Sequence, residues 1–328
     1  MEPVLIDARS PSEFSHAHIP GAVNIPLLDD EHRRIVGTTY KQKGRNEAVL
    51  AGFELVGPRF ADIIREAQKV APKKHVTVYC WRGGMRSAIT GWLLQTAGFS
   101  VTIRKGGYKA YRQTVLESFQ QPRKVIVIGG KTGSGKTEIL HQLESLGEQV
   151  VDLEGLAHHK GSAFGAIGQP PQPSNEHFEN LLFERLQKMD FERPVWLENE
   201  SRSIGRLKIP EGLFELMRKA TVLEADVSVK MRMKRIVAEY GVFDRAELEE
   251  ATLRLSKKLG GQHVKTAVEA LRAGDLEKWL QVLFVYYDKT YQHGNDQREP
   301  SSIHRLIWND AESIGEFVDR LRRFVQTL

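Results

Sequence analysis

Apolar residues fall along this chain in two rhythms: short unbroken runs, and longer stripes that repeat every three or four positions. Val4–Ile6, Val76–Tyr79 and Val101–Ile103 read as strands, the last closed by Gly106-Gly107. Between the second and third, Ile89, Trp92, Leu93 and Ala97 recur at helical spacing over Ser87–Ala97. Strand–loop–helix–strand alternation predicts a parallel α/β sheet. A second series opens at Val125–Ile128 (VIVI), the continuous run of a strand covered on both faces. It continues through a glycine-rich loop, a helix over 137–146, and strands at Gln149–Leu153, Pro194–Leu197 and Ala220–Leu223. Beyond Ser228 the pattern is helical. Asp244 with Glu247 forms a capping-box-like start, and Leu248, Ala251, Leu255 and Leu259 share one face. Asp275 caps a further helix striped by Leu276, Trp279, Leu280, Leu283 and Phe284. The polar Ser118–Lys124 separates the two series, which predicts two domains, residues 1–120 and 121–328. The Gly- and Pro-rich stretch Gly165–Asn175 reads as a surface loop.

Composition narrows the setting. Of 328 residues 41% are hydrophobic and 27% charged, an ordinary globular balance. No apolar run approaches the ~20 residues that cross a bilayer, and MEPVLIDARS carries no signal-peptide pattern, so the expectation is a cytoplasmic protein with no membrane partner. Cys80 is the single cysteine, which excludes an intramolecular disulfide and any multi-cysteine metal site. His16 and His18, and the adjacent His158-His159, lack further clustered ligands and read as turn residues; no metal site is given by direct motif. Net charge is +5, and residues 1–120 hold 17 Lys and Arg against 11 Asp and Glu, so the basic excess sits in the first third.

Residues 130–137 read GKTGSGKT, a full match to G-x-x-x-x-G-K-[ST] after a strand and before a helix. Gly130, Gly133 and Gly135 free the backbone of Lys131, Thr132 and Ser134 to turn its N–H groups toward phosphate oxygens. Lys136 reaches a terminal phosphate, and Thr137 offers a hydroxyl to Mg²⁺. An acid at the end of a neighbouring strand would complete a metal site. Val195-Trp196-Leu197-Glu198 is the nearest match and Val150-Val151-Asp152 its rival. The loop suits a di- or triphosphate without requiring a nucleotide.

Cys80-Trp81-Arg82-Gly83-Gly84-Met85-Arg86-Ser87 joins a strand to a helix. A thiolate there meets a helix N-terminus, Arg82 and Arg86, all of which lower a thiol pKa. Gly83 and Gly84 let the loop curl into an anion nest. Cys80 is therefore the candidate nucleophile, with Arg82, Gly83, Gly84 and Arg86 around it. Over residues 202–235, nine Lys and Arg stand against four Asp and Glu. Arg202, Arg206, Lys208, Arg232 and Arg235 are candidate contacts to an RNA backbone. The alternatives are a solvated helix face or a cover over the P-loop phosphates.

Leu5-Ile6-Asp7-Ala8-Arg9-Ser10, Glu13, His18-Ile19-Pro20-Gly21-Ala22-Val23-Asn24-Ile25-Pro26, Cys80 and Gly106-Gly107-Tyr108 together resemble the rhodanese family. Ala17 stands where that family commonly has glycine. The Cys80–Arg86 loop is one residue longer than in ordinary sulfurtransferases, which resembles rhodanese-fold phosphatases and suits a tetrahedral, phosphate-like group. The whole chain from residue 4 to about 300 resembles the tRNA 2-selenouridine synthase family. The resemblance is carried by Val36-Gly37-Thr38 with Tyr40-Lys41-Gln42, CWRGGMRS at 80–87, GGYKAYR at 106–112, GGKTGSGKT at 129–137, DLEGLAHHKGSAFG at 152–165, FEN at 178–180 and LENESRSIG at 197–205.

The resemblance implies a rhodanese-like parallel-sheet domain followed by a P-loop NTPase-like α/β domain with a helical C-terminal part. It also implies a transferase acting on wobble 2-thiouridine of tRNA. Geranyl diphosphate would first alkylate the sulfur, and selenium from selenophosphate would then displace the geranylthio group. A selenophosphate-supplying enzyme becomes an expected partner, and no role is assigned to ATP. The rival readings are a P-loop small-molecule kinase with a regulatory rhodanese module, a sulfurtransferase forming a Cys80 persulfide, and a non-catalytic tRNA-binding adaptor.

Overall fold

A computed structural model describes residues 2–327. The chain divides into two compact units, Met1–Ser118 with Glu179–Glu184, and Phe119–Phe178 with Arg185–Leu328. Residues 179–184 thus belong to the first unit, which a single cut of the chain does not anticipate.

The first unit is built on four parallel strands in the order β2-β1-β3-β4, where β1 is Val4–Asp7, β2 Val23–Asn24, β3 His75–Tyr79 and β4 Ser100–Ile103. Ile6, Val76, Val78, Ile63, Leu93 and Leu94 are buried in one core, because alternate strand positions meet the apolar faces of the flanking helices. Gly107, read from sequence with a closing strand, instead begins the helix Gly107–Ser118.

At the end of β1 lies a buried ion pair. Asp7 is 0% exposed and Arg9 2%. The Arg9 Nε donates to both Asp7 oxygens at 3.0 Å, and Nη2 donates to Asp7 Oδ2 at 2.6 Å and to the Ala17 carbonyl at 2.7 Å. Its guanidinium lies 3.9 Å from the Tyr108 ring centroid. Every charged oxygen has a donor, which is the condition for burying such a pair at tolerable cost.

The second unit carries five parallel strands in the order β11-β10-β5-β7-β6. Here β5 is Val125–Gly129, β6 Gln149–Val151, β7 Val195–Glu198, β10 Thr221–Val227 and β11 Ile303–Trp308; β8 (Ser203–Ile204) and β9 (Leu207–Lys208) form a small antiparallel hairpin. The central strand β5 is the VIVI run. The strand expected over 149–153 stops at Val151, because Asp152 leaves it to cap the helix Leu153–Ala157.

The helical region fills residues 229–295, and the expected stripes form its core: Leu248, Ala251, Leu255, Leu259, Trp279, Leu280, Leu283 and Phe284 are all buried. Asp244 accepts from the Ala246 amide and Asp275 from the Lys278 amide, the caps expected of both. Glu247 adds no reciprocal bond, so the first is a simple cap and not a capping box. The C-terminal part is not wholly helical. β11 returns to the sheet edge beside β10, with Arg305 in register with Glu224 and paired to it at 2.9 Å. Among the described residues no helix is long and apolar enough to cross a membrane.

Removing one member of the Asp7–Arg9 pair strands the other in a dry core. Arg9→Ala is expected to destabilise the protein by about 3–5 kcal/mol in urea unfolding, and Asp7→Leu combined with Arg9→Met by clearly less.

Candidate functional site

Two loops, each at the C-terminal end of a central strand, hold the chemistry the sequence points to. In the first unit Cys80 directly follows β3. The backbone then turns through Gly83, whose φ is +69°, into the helix Met85–Thr96. The carbonyls of Cys80 and Trp81 accept from the amides of Tyr108 and Lys109 at 2.9 and 2.8 Å. Gly107 makes that contact possible: a Cβ there would lie 2.2 Å from the Cys80 carbonyl oxygen.

The thiol is 4% exposed, and its Sγ lies 3.3 Å from the Ser87 hydroxyl. Burial raises the thiol pKa. Hydrogen bonds from the Ser87 hydroxyl and amide and the Arg82 amide, with the charge of Arg86, outweigh it, so the net shift is downward. Of the two arginines expected to act by charge, only Arg86 does. It is itself held by Glu13, Nη1 to Oε2 at 2.5 Å, while the Arg82 side chain points to solvent and contributes through its backbone. Burial opposes ionisation of Glu13, but Arg86 beside it holds that carboxyl down at about 2.

In the second unit the P-loop follows β5 and opens the helix Lys136–Ser145. A loop whose N–H groups converge on an anion must satisfy its carbonyls elsewhere. The Arg232 Nε donates to the Thr132 carbonyl at 2.8 Å and the Arg235 Nη1 to the Ser134 carbonyl at 3.5 Å. Lys136 Nζ folds back onto the Gly130 carbonyl at 3.1 Å, and the Gly130 amide donates to the Tyr291 hydroxyl at 2.7 Å. Arg232 is fixed in turn by Asp288, at 2.9 and 2.5 Å, and lies 4.3 Å from the Phe284 ring centroid.

The loop forms one wall of a cleft of about 1680 Å³. Ala163 lines it too, with Ile236, Tyr240, Leu255, Tyr286 and Tyr287 from the helical region; Ile236 packs on the P-loop itself, since a Cβ on Gly133 would lie 2.8 Å from its Cδ1. Asp152, Glu154 and Glu200 line the cleft as well. Burial, then Glu200, raises the Glu154 carboxyl to about 9, and the two carboxyls hydrogen-bond to each other; burial raises Glu200 as well. Glu198, at the end of β7, is raised to about 8 by burial and by Asp152. Its Oε1 accepts the Glu154 amide at 2.7 Å, and its buried Oε2 has no partner. Asp152, its rival, spends Oδ1 on the Gly155 amide at 2.6 Å.

The predicted basic residues separate. Arg202 lines the cleft and pairs with Glu211, whereas Arg206 and Lys208 are exposed on the β8–β9 hairpin, where Arg206 bonds Gln172 and the Lys208 amide donates to Asn175. Arg235 lies on the P-loop, paired with Glu138 at 3.2 Å. Arg232 is 1% exposed, which removes it from any solvent-facing set: its helix turns it inward onto Thr132 and Asp288. His158 bonds the Pro171 carbonyl, and His18 the Phe14 carbonyl, as turn residues do. His159 Nδ1 is buried without a partner. Among the described residues no group of three His, Cys, Asp or Glu could hold a metal ion.

Sequence reasoning missed Tyr286, Tyr287, Asp288 and Tyr291. The signal was present, since they continue the Trp279–Leu283 stripe at three- and four-residue steps. Glu154 and Glu200 each lie two residues beyond an acid already singled out.

Cys80 alkylation followed against pH should show a midpoint below the free-cysteine value near ~8.5. Ser87→Ala removes a donor to the thiolate and should move that midpoint upward, read by the rate of iodoacetamide labelling.

Two family models match this chain. The tRNA 2-selenouridine synthase AAA domain matches residues 123–322 and the rhodanese-like domain residues 1–114. Over 250 residues the chain is 38% identical to the tRNA 2-selenouridine synthase of Nitrosomonas europaea, an alignment that spans 72% of this chain and 63% of that protein. It is 33% identical over 352 residues to that of Shewanella frigidimarina, covering 96% of this chain and 94% of the other. With that of a Sulfurovum species it is 34% identical over 354 residues, covering 97% and 95%. With both domain models present in order, and with the Shewanella and Sulfurovum relatives matched over nearly their whole length, the chain belongs to the tRNA 2-selenouridine synthase family of tRNA-modifying enzymes.

Proposed function

We propose that the enzyme converts wobble 2-thiouridine of tRNA to 2-selenouridine in two steps, through an S-geranyl-2-thiouridine intermediate. In the first, the thiouridine sulfur attacks the allylic carbon of geranyl diphosphate. The C–O bond breaks, diphosphate leaves, and the base loses its N3 proton. In the second, the Cys80 thiolate attacks the same ring carbon and the geranylthio group leaves as the thiol; the selenium of selenophosphate then displaces Cys80 from that carbon, and water cleaves the P–Se bond to release phosphate. The P-loop cleft serves the first step and the Cys80 loop the second.

The observation that carries this reading is the make-up of the cleft. The P-loop and a set of alkyl and tyrosine side chains, Ile236, Tyr240, Leu255, Tyr286 and Tyr287, line one cleft, so a single ligand with an anionic head and an isoprenoid tail suits both kinds of lining. Lys136 and the loop amides stabilise charge that grows on the leaving diphosphate. Mg²⁺ would find hard oxygen donors in the Thr137 hydroxyl and the partnerless Glu198 Oε2. Such an ion, when bound, neutralises part of the diphosphate charge. In the other loop, Gly83, Gly84 and the amides of Arg82 and Ser87 suit a tetrahedral anion such as selenophosphate, and Cys80 is the nucleophile at its centre. A selenophosphate-supplying enzyme is then the natural partner.

Mass analysis of nucleosides checks the division of labour after the enzyme is mixed with 2-thiouridine tRNA, geranyl diphosphate and selenophosphate. Cys80→Ala should accumulate the geranylated nucleoside and form no 2-selenouridine; equal loss of both steps would sink the division. Lys136→Ala should slow geranylation by about 100-fold, and an unchanged geranylation rate would take the P-loop out of that step.

A further inference from the structure

Cys80 is buried, so a macromolecular substrate meets the rim of its loop before it meets the sulfur. That rim has an unusual composition. Trp81, next in sequence to Cys80, is 39% exposed. Its backbone is pinned by the Lys109 amide at 2.8 Å, and its indole leans on the buried Tyr108 ring with centroids 5.7 Å apart. Tyr108 is sandwiched in turn, with the Arg9 guanidinium 3.9 Å from its centroid. The indole therefore sits on a rigid base and is partly exposed to solvent.

Around it the side chains of Arg82, Lys105 and Lys109 are exposed, and among the described residues none of the three forms an ion pair. The segment that carries Lys105 abuts the cysteine loop: a Cβ on Gly83 would come within 2.8 Å of the Arg104 carbonyl and 3.3 Å of the Gly106 amide. A fixed aromatic face beside unpaired cations is the chemistry that holds a single-stranded nucleic acid, the ring taking a base and the cations its phosphates.

We propose that this rim receives the unpaired nucleotides of the tRNA substrate. Trp81 is the stacking platform that sets a base beside the Cys80 pocket, and Arg82, Lys105 and Lys109 grip the adjoining phosphates. Trp81 acts by positioning. Its loss should weaken RNA engagement and raise KM far more than it lowers kcat. The assignment rests on the family's RNA substrate and is independent of the isoprenoid step.

The test is binding of a synthetic anticodon stem–loop to the full-length protein, read by fluorescence anisotropy over a salt series, with KM and kcat for selenation of whole tRNA alongside. Trp81→Ala should weaken binding about 10-fold, and Trp81→Phe should restore most of it, since any flat ring can stack. Lys105→Glu with Lys109→Glu should flatten the dependence of log affinity on log salt by about 1.4. This pair tests the rim even if Trp81→Ala fails to fold. Unchanged affinity in both variants, or equal competition by polyglutamate, would overturn the proposal. An enzyme that binds RNA through Trp81 yet never geranylates it would uphold the rim and overturn the first chemical step instead.

Discussion

A loop that cradles phosphate must point its amides inward, and that forces its carbonyls outward, where they need partners. In this protein the partners come from the helical region. Arg232 takes the Thr132 carbonyl, Arg235 the Ser134 carbonyl, and Tyr291 receives the Gly130 amide while donating to Glu224 at 3.1 Å. Because Arg232 is buried, its charge must also be met, and Asp288 meets it with two hydrogen bonds. The geometry of the P-loop thus depends on helices far away in sequence. The same helices bring Tyr286 and Tyr287 to the lining of the cleft, so one packing arrangement supports the loop and supplies its aromatic neighbours.

The cysteine loop meets the same requirement with different parts. Its carbonyls are taken by the amides of Tyr108 and Lys109, and its amides at Arg82 and Ser87 remain directed at the sulfur. Charge plays a smaller role than the residue types suggest. Glu13 neutralises much of Arg86, so the lowering of the thiol pKa is carried chiefly by short-range hydrogen bonds that offset the cost of burial.

Carboxyls behave in the opposite way at and beside the P-loop cleft. Glu154, Glu198 and Glu200 are crowded and buried, and burial is the leading cause that pushes all three upward.

What the sequence determined by itself is local. Glycine spacing in GKTGSGKT and CWRGGMRS dictates how the backbone can turn, unbroken apolar runs dictate buried strands, and stripes such as Leu248–Leu259 dictate helix faces. All of these follow from residues within a few positions of one another. Strand β11 escaped such reasoning because its residues, IHRLIW, neither run unbroken nor alternate, and it takes its partner, β10, from a distant part of the chain. What only the tertiary structure decided is which basic side chains face solvent and which face the P-loop. Arg232 reads from sequence like any cation on a basic helix. Its role is set by Thr132, 100 positions away, and by Asp288, 56 positions away, and hydrogen bonding across such distances leaves no periodic mark in the chain.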